Sequence, residues 1–175
     1  MTEVIDPKVK KWSEQSSPSS LHVALVEPEI PPNTGNIARL CAATRTPLHL
    51  VGQLGFRTDD KMVRRAGLDY WHLTDIRYHN NVEDLRKHLP QSRLLFLTTK
   101  ADRSYLEIEY TREDCLVFGR ETAGLPIDLL KANWNNCLTI PMSQPGVRSL
   151  NLATSVAIVL YEALRQLRYW DVETR

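Results

Sequence analysis

The sequence predicts a single α/β domain, with a mostly parallel sheet flanked by helices. Two observations carry this. Apolar runs of strand length alternate with segments of helical pattern or with helix caps, the pattern of strands joined by crossover helices. The chain also runs to one long apolar helix, within residues 148–168, with too many apolar positions to face water all round. At 175 residues, 42% hydrophobic and 25% charged, the chain is long enough and ordinary enough to bury one core.

Residues 1–20 are polar and serine-rich around Pro18. They read as a flexible N-terminal extension, and residues 21–175 as the domain. L-H-V-A-L-V, starting at Leu21, is the first strand. Pro28, Pro31 and Pro32 end it and predict an extended loop. Asn33 or Thr34 then caps a helix, I-A-R-L-C-A-A-T, with Ile37, Leu40 and Cys41 on one side. L-H-L-V (48–51) is the second strand, followed by a glycine-containing loop and a short basic helix near Asp60–Ala66. Trp71 to His79 reads as loop plus a short strand, and Asn81 caps a helix running to His88. R-L-L-F-L-T-T (93–99) and C-L-V-F (115–118) are buried strands. Pro126 suits the first turn of a short helix, I-D-L-L-K-A, and C-L-T-I-P is the last strand.

In the final helix Ser149 and Asn151 stand where first-turn N–H groups lack partners. Leu150, Ala153, Ala157, Leu160, Leu164 and Leu167 form one apolar stripe; Leu152, Val156, Val159 and Ala163 form a second. Two stripes call for two partners. One is the sheet; the other is a second subunit or the Leu21–Val26 strand.

A net charge of +1 excludes a polyanion binder by bulk charge, so any nucleic-acid contact must be local. One such patch holds Arg39, Arg45, Arg57, Lys61, Arg64 and Arg65 against Asp59 and Asp60, a composition that also fits a solvated helix face. Cys41, Cys115 and Cys137 read as buried thiols in a reducing compartment. The five histidines are scattered, with no metal-ligand spacing, so no metal is expected. No apolar run reaches membrane-spanning length and no signal-peptide core is visible, so the expected location is the cytoplasm.

Three turns follow predicted strands: Thr98–Lys100, Gly119–Gly124, and Pro141 through Ser149. Ligands of open α/β sheets bind beyond the carboxyl ends of strands, so these turns should line one pocket. Neither standard phosphate loop fits: G-R-E-T-A-G lacks a following Lys-Ser/Thr, and no G-x-G-x-x-G follows the first strand. The residues alone point to a nucleotide-like ligand and no further.

N-T-G-N-I-A-R (Asn33–Arg39), F-G-R-E-T-A-G-L-P (Phe118–Pro126) and I-P-M…R-S-L-N-L-A (Ile140–Ala153) resemble the three motifs of the SPOUT superfamily of RNA methyltransferases. V-E-P-E-I-P-P-N-T-G-N-I-A-R-L-C-A-A-T and R-R-A-G-L-D-Y-W are most similar to the small family that 2′-O-methylates the wobble nucleotide of tRNA. The resemblance spans roughly residues 21–170. It implies a trefoil knot at the C-terminal end and a homodimer joined through the first-motif and final helices. It implies S-adenosylmethionine as methyl donor, held by Leu97, Gly119, Ile140 and Ser149, with Gly119 admitting the ribose. Leu97 and Ile140 equally fit plain core packing. The implied catalytic set is Arg39, Glu121, Ser149 and Asn151. The implied RNA contacts are Asn33, Arg39, Lys61, Arg64, Arg65 and Tyr161, with the tRNA anticodon stem-loop as partner and nucleotide 34, cytidine or uridine, as target. Glu121 either orients a group at the pocket or pairs with Arg120. Another 2′-O-methyltransferase of the superfamily, acting on rRNA or elsewhere on tRNA, fits the same motifs, as does a non-catalytic RNA-binding protein of this fold.

Overall fold

The computed structural model describes residues 21–56 and 68–169. Six strands form one sheet: β1 (His22–Val26), β2 (Leu48–Val51), β3 (Ile76–His79), β4 (Leu94–Leu97), β5 (Cys115–Phe118) and β6 (Cys137–Leu138). Their order is β3-β2-β1-β5-β4-β6, and every neighbouring pair is parallel. The helices of the described residues are α1 (Pro31–Thr44), α2 (Val82–His88), α3 (Ile127–Ala132) and α4 (Leu152–Gln166), with 3-10 helices at Leu68–Leu73 and Trp134–Asn136.

The strands read as unbroken apolar runs because both faces of the sheet are covered. On one face Val23, Leu25, Leu50, Leu95, Leu116 and Phe118 pack against Ile37, Ala38 and Cys41 of α1 and against α4. On the other, Ala24, Val26, Val51, Phe96 and Val117 pack against Leu85 of α2 and Leu130 of α3. After β1 the chain runs outward through β2 to β3, then returns to the far side of β1 for β5, β4 and β6. The strand order reverses beside β1, so the turns leaving β1 and β5 lie side by side at the carboxyl edge, where such sheets open a crevice.

Two sequence expectations change at the helices. The helix after β1 starts three or four residues early, at Pro31, with Ile30 and not Asn33 or Thr34 as N-cap and no side-chain cap. Proline at the first helical positions has no N–H to leave unpaired, and its fixed φ suits a helix start, so Pro31 and Pro32 open α1 rather than hold a loop. Asn33 is therefore inside the first turn and not its cap. In α4 the two stripes merge into one broad face: Val156, Val159, Leu160, Ala163 and Leu164 are all buried. α1 and β5 of the same chain cover that face, so the stripes themselves require no second subunit. Leu150 precedes the helix, which Asn151 caps by accepting from Ala153 N and Thr154 N. Asn81 caps α2 as expected. The segment from Trp71 is the end of a 3-10 helix, then β3. The extension over residues 1–20 and the basic helix near Asp60–Ala66 lie outside the described residues.

Candidate functional site

The turn after β5 sets the site's shape. Gly119 to Gly124 closes on itself through Arg120 N to Gly124 O (3.2 Å) and Gly124 N to Arg120 O (2.9 Å), with Gly124 at φ 67°. A Cβ on Gly119 would stand 2.2 Å from the Gly124 carbonyl carbon and 2.3 Å from Leu125 N. The resemblance assigns Gly119 to close approach of a ribose. The structure supplies a nearer reason: the turn folds back onto the glycine.

Glu121 projects from this turn to the start of α1. Its carboxylate accepts from Glu29 N (2.8 Å), Ile30 N (3.1 Å) and Asn33 Nδ2 (3.1 Å). It thus supplies, from 91 residues away, acceptors and negative charge to a helix N-terminus whose own cap residue has no polar side chain. Glu29 returns the contact, accepting from Thr122 Oγ1 (2.6 Å) and Thr122 N (3.2 Å). Arg120 pairs with Glu27, which answers the open question about Glu121: Arg120 is engaged elsewhere.

Asn33 is 7% exposed and extends the chain of contacts. Its Oδ1 accepts from Asn151 Nδ2 (2.9 Å). Asn151 Oδ1 in turn accepts from Ala153 N (2.9 Å) and Thr154 N (3.3 Å) at the start of α4. The orientations are mutually determined. Two backbone donors fix Asn151 Oδ1, so its amide nitrogen must meet an oxygen on Asn33, and the Asn33 nitrogen is left for the Glu121 carboxylate. One polar chain therefore joins the β5 turn, α1 and α4.

Beside that chain lies a cleft of about 460 Å³. The three strand-end turns line it, bringing together Leu97, Gly119, Glu121, Ile140, Ser149 and Asn151, with Asn33 on one wall. Ile30, Arg148 and Ser155 also line it and were not singled out from sequence. Arg148 was legible as the one cation in its turn. Ile30 and Ser155 carry no sequence signal for a site. Arg39 and Tyr161 are absent from the lining. Six residues beyond Asn33, Arg39 is about 9 Å further along α1 and turned roughly 240° around it. It is exposed, with its guanidinium 4.9 Å from the ring centroid of Tyr70. Tyr161 is 45% exposed on α4. Lys61, Arg64 and Arg65 lie outside the described residues.

Four of the five histidines, dispersed in sequence, meet on the sheet face opposite α1. His22 Nδ1 is 3.0 Å from His49 Nε2, and His49 Nδ1 is 2.8 Å from His79 Nε2. His88 of α2 packs on both His49 and His79 and meets Arg77 at 3.1 Å. Burial is the main cause that lowers His49 to about 3 and His22 to about 4; it also lowers His79. Among the described residues no group of three or more His, Cys, Asp or Glu is placed to hold a metal. The three cysteines are free and buried, and burial pushes each thiol upward.

Fold and cleft together define a parallel α/β protein with a cleft large enough for a nucleotide-sized molecule at the carboxyl ends of its strands. The chain belongs to the SpoU rRNA Methylase family, whose sequence profile matches residues 20–161. A Bacillus subtilis (strain 168) relative is 50% identical over 157 residues, 88% of this chain and 98% of its own. A Yersinia pestis relative, named tRNA (cytidine(34)-2′-O)-methyltransferase, is 48% identical over 158 residues, 85% of this chain and 95% of its own. A solved structure described as giving insights into the 2-OH methylation of C/U34 on tRNA superposes with a TM-score of 0.82. It is 42% identical, over 87% of this chain and 99% of that one. An AdoMet-bound rRNA methyltransferase from Sinorhizobium meliloti superposes with a TM-score of 0.74 at 27% identity, over 87% of this chain and 62% of that one.

Proposed function

We propose that this chain is an S-adenosylmethionine-dependent methyltransferase that methylates the ribose 2′-hydroxyl of wobble nucleotide 34, cytidine or uridine, in tRNA. The observation that carries this is the convergence of the three family motifs on one cleft, joined by Glu121, Asn33 and Asn151. Relatives near half identity along nearly their whole length support the tRNA assignment.

The cleft fits the donor in volume, which lies within the usual range for small-molecule sites, and in chemistry. Leu97 and Ile140 offer apolar walls, Ser149 a hydroxyl, and Gly119 a close backbone. When bound, S-adenosylmethionine supplies a sulfonium methyl group whose transfer to an alkoxide leaves neutral products. The protein's part is to orient the ribose and limit water around it. A guanidinium stays protonated in proteins, so Arg39 is not the proton acceptor. It is a forked donor for the phosphate beside the target ribose and for negative charge developing on the hydroxyl. Glu121 already accepts three hydrogen bonds and acts as a positioning residue, as do Asn33 and Asn151.

Arg39 stands outside the cleft of its own chain, which supports a homodimer in which Arg39 of a second copy completes the site. The trefoil knot belongs to the same proposal. Its support is the path past β4 to β6 and back to α4, which packs on β5. Lys61, Arg64, Arg65 and Tyr161 are proposed as further anticodon stem-loop contacts. Residues 1–20 are proposed as an extension to one catalytic domain. No helix of the described residues is long and apolar enough to cross a membrane, and a cytoplasmic location is proposed with the tRNA substrate.

The test is methyl transfer from labelled donor to total tRNA, followed by mass spectrometry of digested product. The expected product carries the methyl on the ribose of nucleotide 34. Label on a base, at another position or on rRNA overturns the wobble assignment. Binding of tRNA without transfer overturns the enzyme.

A further inference from the structure

Arg39 is held in place before any RNA arrives. Its guanidinium carbon lies 4.9 Å from the Tyr70 ring centroid. Tyr70 belongs to the 3-10 helix Leu68–Leu73, which packs along α1. Thr74 fastens the two together. Its Oγ1 is 2.9 Å from Ala38 O and 3.0 Å from Tyr70 O, so one hydroxyl proton serves two carbonyls. Ala38 is the residue before Arg39, and Tyr70 is the residue beneath the guanidinium. Thr74 N also donates to Trp71 O (3.2 Å), and Trp71 packs on the core. Tyr70 itself is 38% exposed, so the ring is a platform at the surface and not a core side chain.

A surface arginine samples many rotamers and must give most of them up to clamp a phosphate. A ring beneath the guanidinium selects among them in advance. The guanidinium carbon lies over the ring face, which carries no oxygen or nitrogen acceptor, so the contact does not tie up the N–H donors in hydrogen bonds that phosphate oxygens would need. We infer that Tyr70 is a positioning residue for the methyl-transfer reaction, holding Arg39 in the rotamer that clamps the phosphate beside the target ribose. This rests on the reading of Arg39 as the phosphate clamp. The aromatic face, and not the phenol hydroxyl, does this work.

The test compares Tyr70→Leu and Tyr70→Phe, each alone and combined with Arg39→Ala, by turnover and by affinity for an anticodon stem-loop. Tyr70→Leu should weaken stem-loop affinity and kcat/KM about fivefold, the scale of an exposed cation–π contact. Tyr70→Phe should match the wild type. Donor affinity by calorimetry should be the same in all. In the Arg39→Ala background, Tyr70→Leu should cost no further stem-loop affinity. Normal turnover by Arg39→Ala sinks the clamp reading itself. An impaired Arg39→Ala beside a normal Tyr70→Leu sinks only the role of Tyr70. So does an equal loss in Tyr70→Phe, a weakened donor affinity, or a Tyr70→Leu penalty that persists without Arg39.

Discussion

Acid should destabilise this fold well above the range where carboxylates titrate, because the His22–His49–His79 chain has no room for protons. Its two contacts use four of six ring nitrogens, and each contact accommodates one hydrogen. With one further hydrogen on each outer nitrogen, three rings carry at most four, against three when all are neutral. The folded chain therefore takes up at most one extra proton, while the unfolded chain takes up three as pH falls below 6.5. Burial is the leading cause that lowers His22 to about 4 and His49 to about 3, so both stay neutral where the unfolded rings charge. Asp75 and Asp84 raise, and Arg77 and His88 lower, the rings they face without reversing the result. A folded-state value below the unfolded one means that the stabilisation is present above 6.5 and is lost as pH falls toward 4. At about pH 5 each excluded proton costs about 2 kcal/mol, so two cost about 4 kcal/mol. That is a large share of a typical 5–15 kcal/mol, roughly a 2 M drop in urea midpoint for an m-value of about 2 kcal/mol/M. Urea unfolding at about pH 7 and pH 5 should show this drop, with uptake of about two protons on unfolding, and His49→Gln should flatten the slope. Equal midpoints at the two pH values, or a slope unchanged in His49→Gln, would refute the reasoning.

Two further outcomes test the site. Asn33→Ala removes the hydrogen bonds that the buried Asn33 side chain makes with Asn151 and Glu121; at a net contribution of about 1 kcal/mol per bond, it should lower stability by about 2 kcal/mol. A change under about 0.5 kcal/mol in urea unfolding would mean that the polar chain from Glu121 to α4 adds little to stability. For the shared site, light scattering should give twice the chain mass, and Arg39→Ala should be inactive alone. So should Ser149→Trp, which fills the cleft from an exposed position. Mixed one to one, half of the dimers are heterodimers with one complete site each, so about a quarter of the activity should return. A monomeric, active wild type or no recovery on mixing sinks the proposal that a second copy supplies Arg39.

What was legible from sequence and what was not divides along physical lines. Strands covered on both faces read as apolar runs, so all but the third were placed from sequence to within a few residues. Caps that act within three residues, Asn81 and Asn151, were legible because donor and acceptor are neighbours in the chain. Glu121 was not, because its partners lie 88 to 92 residues away. The histidine chain was hidden for a related reason. It exists only because the parallel register sets Ala24 beside His49 and His49 beside Arg77, bringing rings from three strands onto one face. The prolines before α1 misled because the same fixed φ serves an extended loop and a helix start, and only tertiary context chooses between them.

The polar chain also changes how losses of activity at this site should be read. Glu121, Asn33 and Asn151 hold two helix starts and the β5 turn in register, and their hydrogen bonds are already made without substrate. Removing any one of them shifts the wall of the cleft as well as any group aimed at RNA. Inactivity of such variants therefore does not identify a proton acceptor. Arg39 differs: it is exposed, outside the cleft, and its guanidinium lies over the Tyr70 ring. Its removal leaves the lining of the donor cleft as it was, and on the proposed reading takes away only a contact to RNA. Only a loss of transfer with intact donor binding and intact stability belongs to the chemistry, and of the four residues in the implied catalytic set, Arg39 is the one that stands outside the donor cleft and so permits that result.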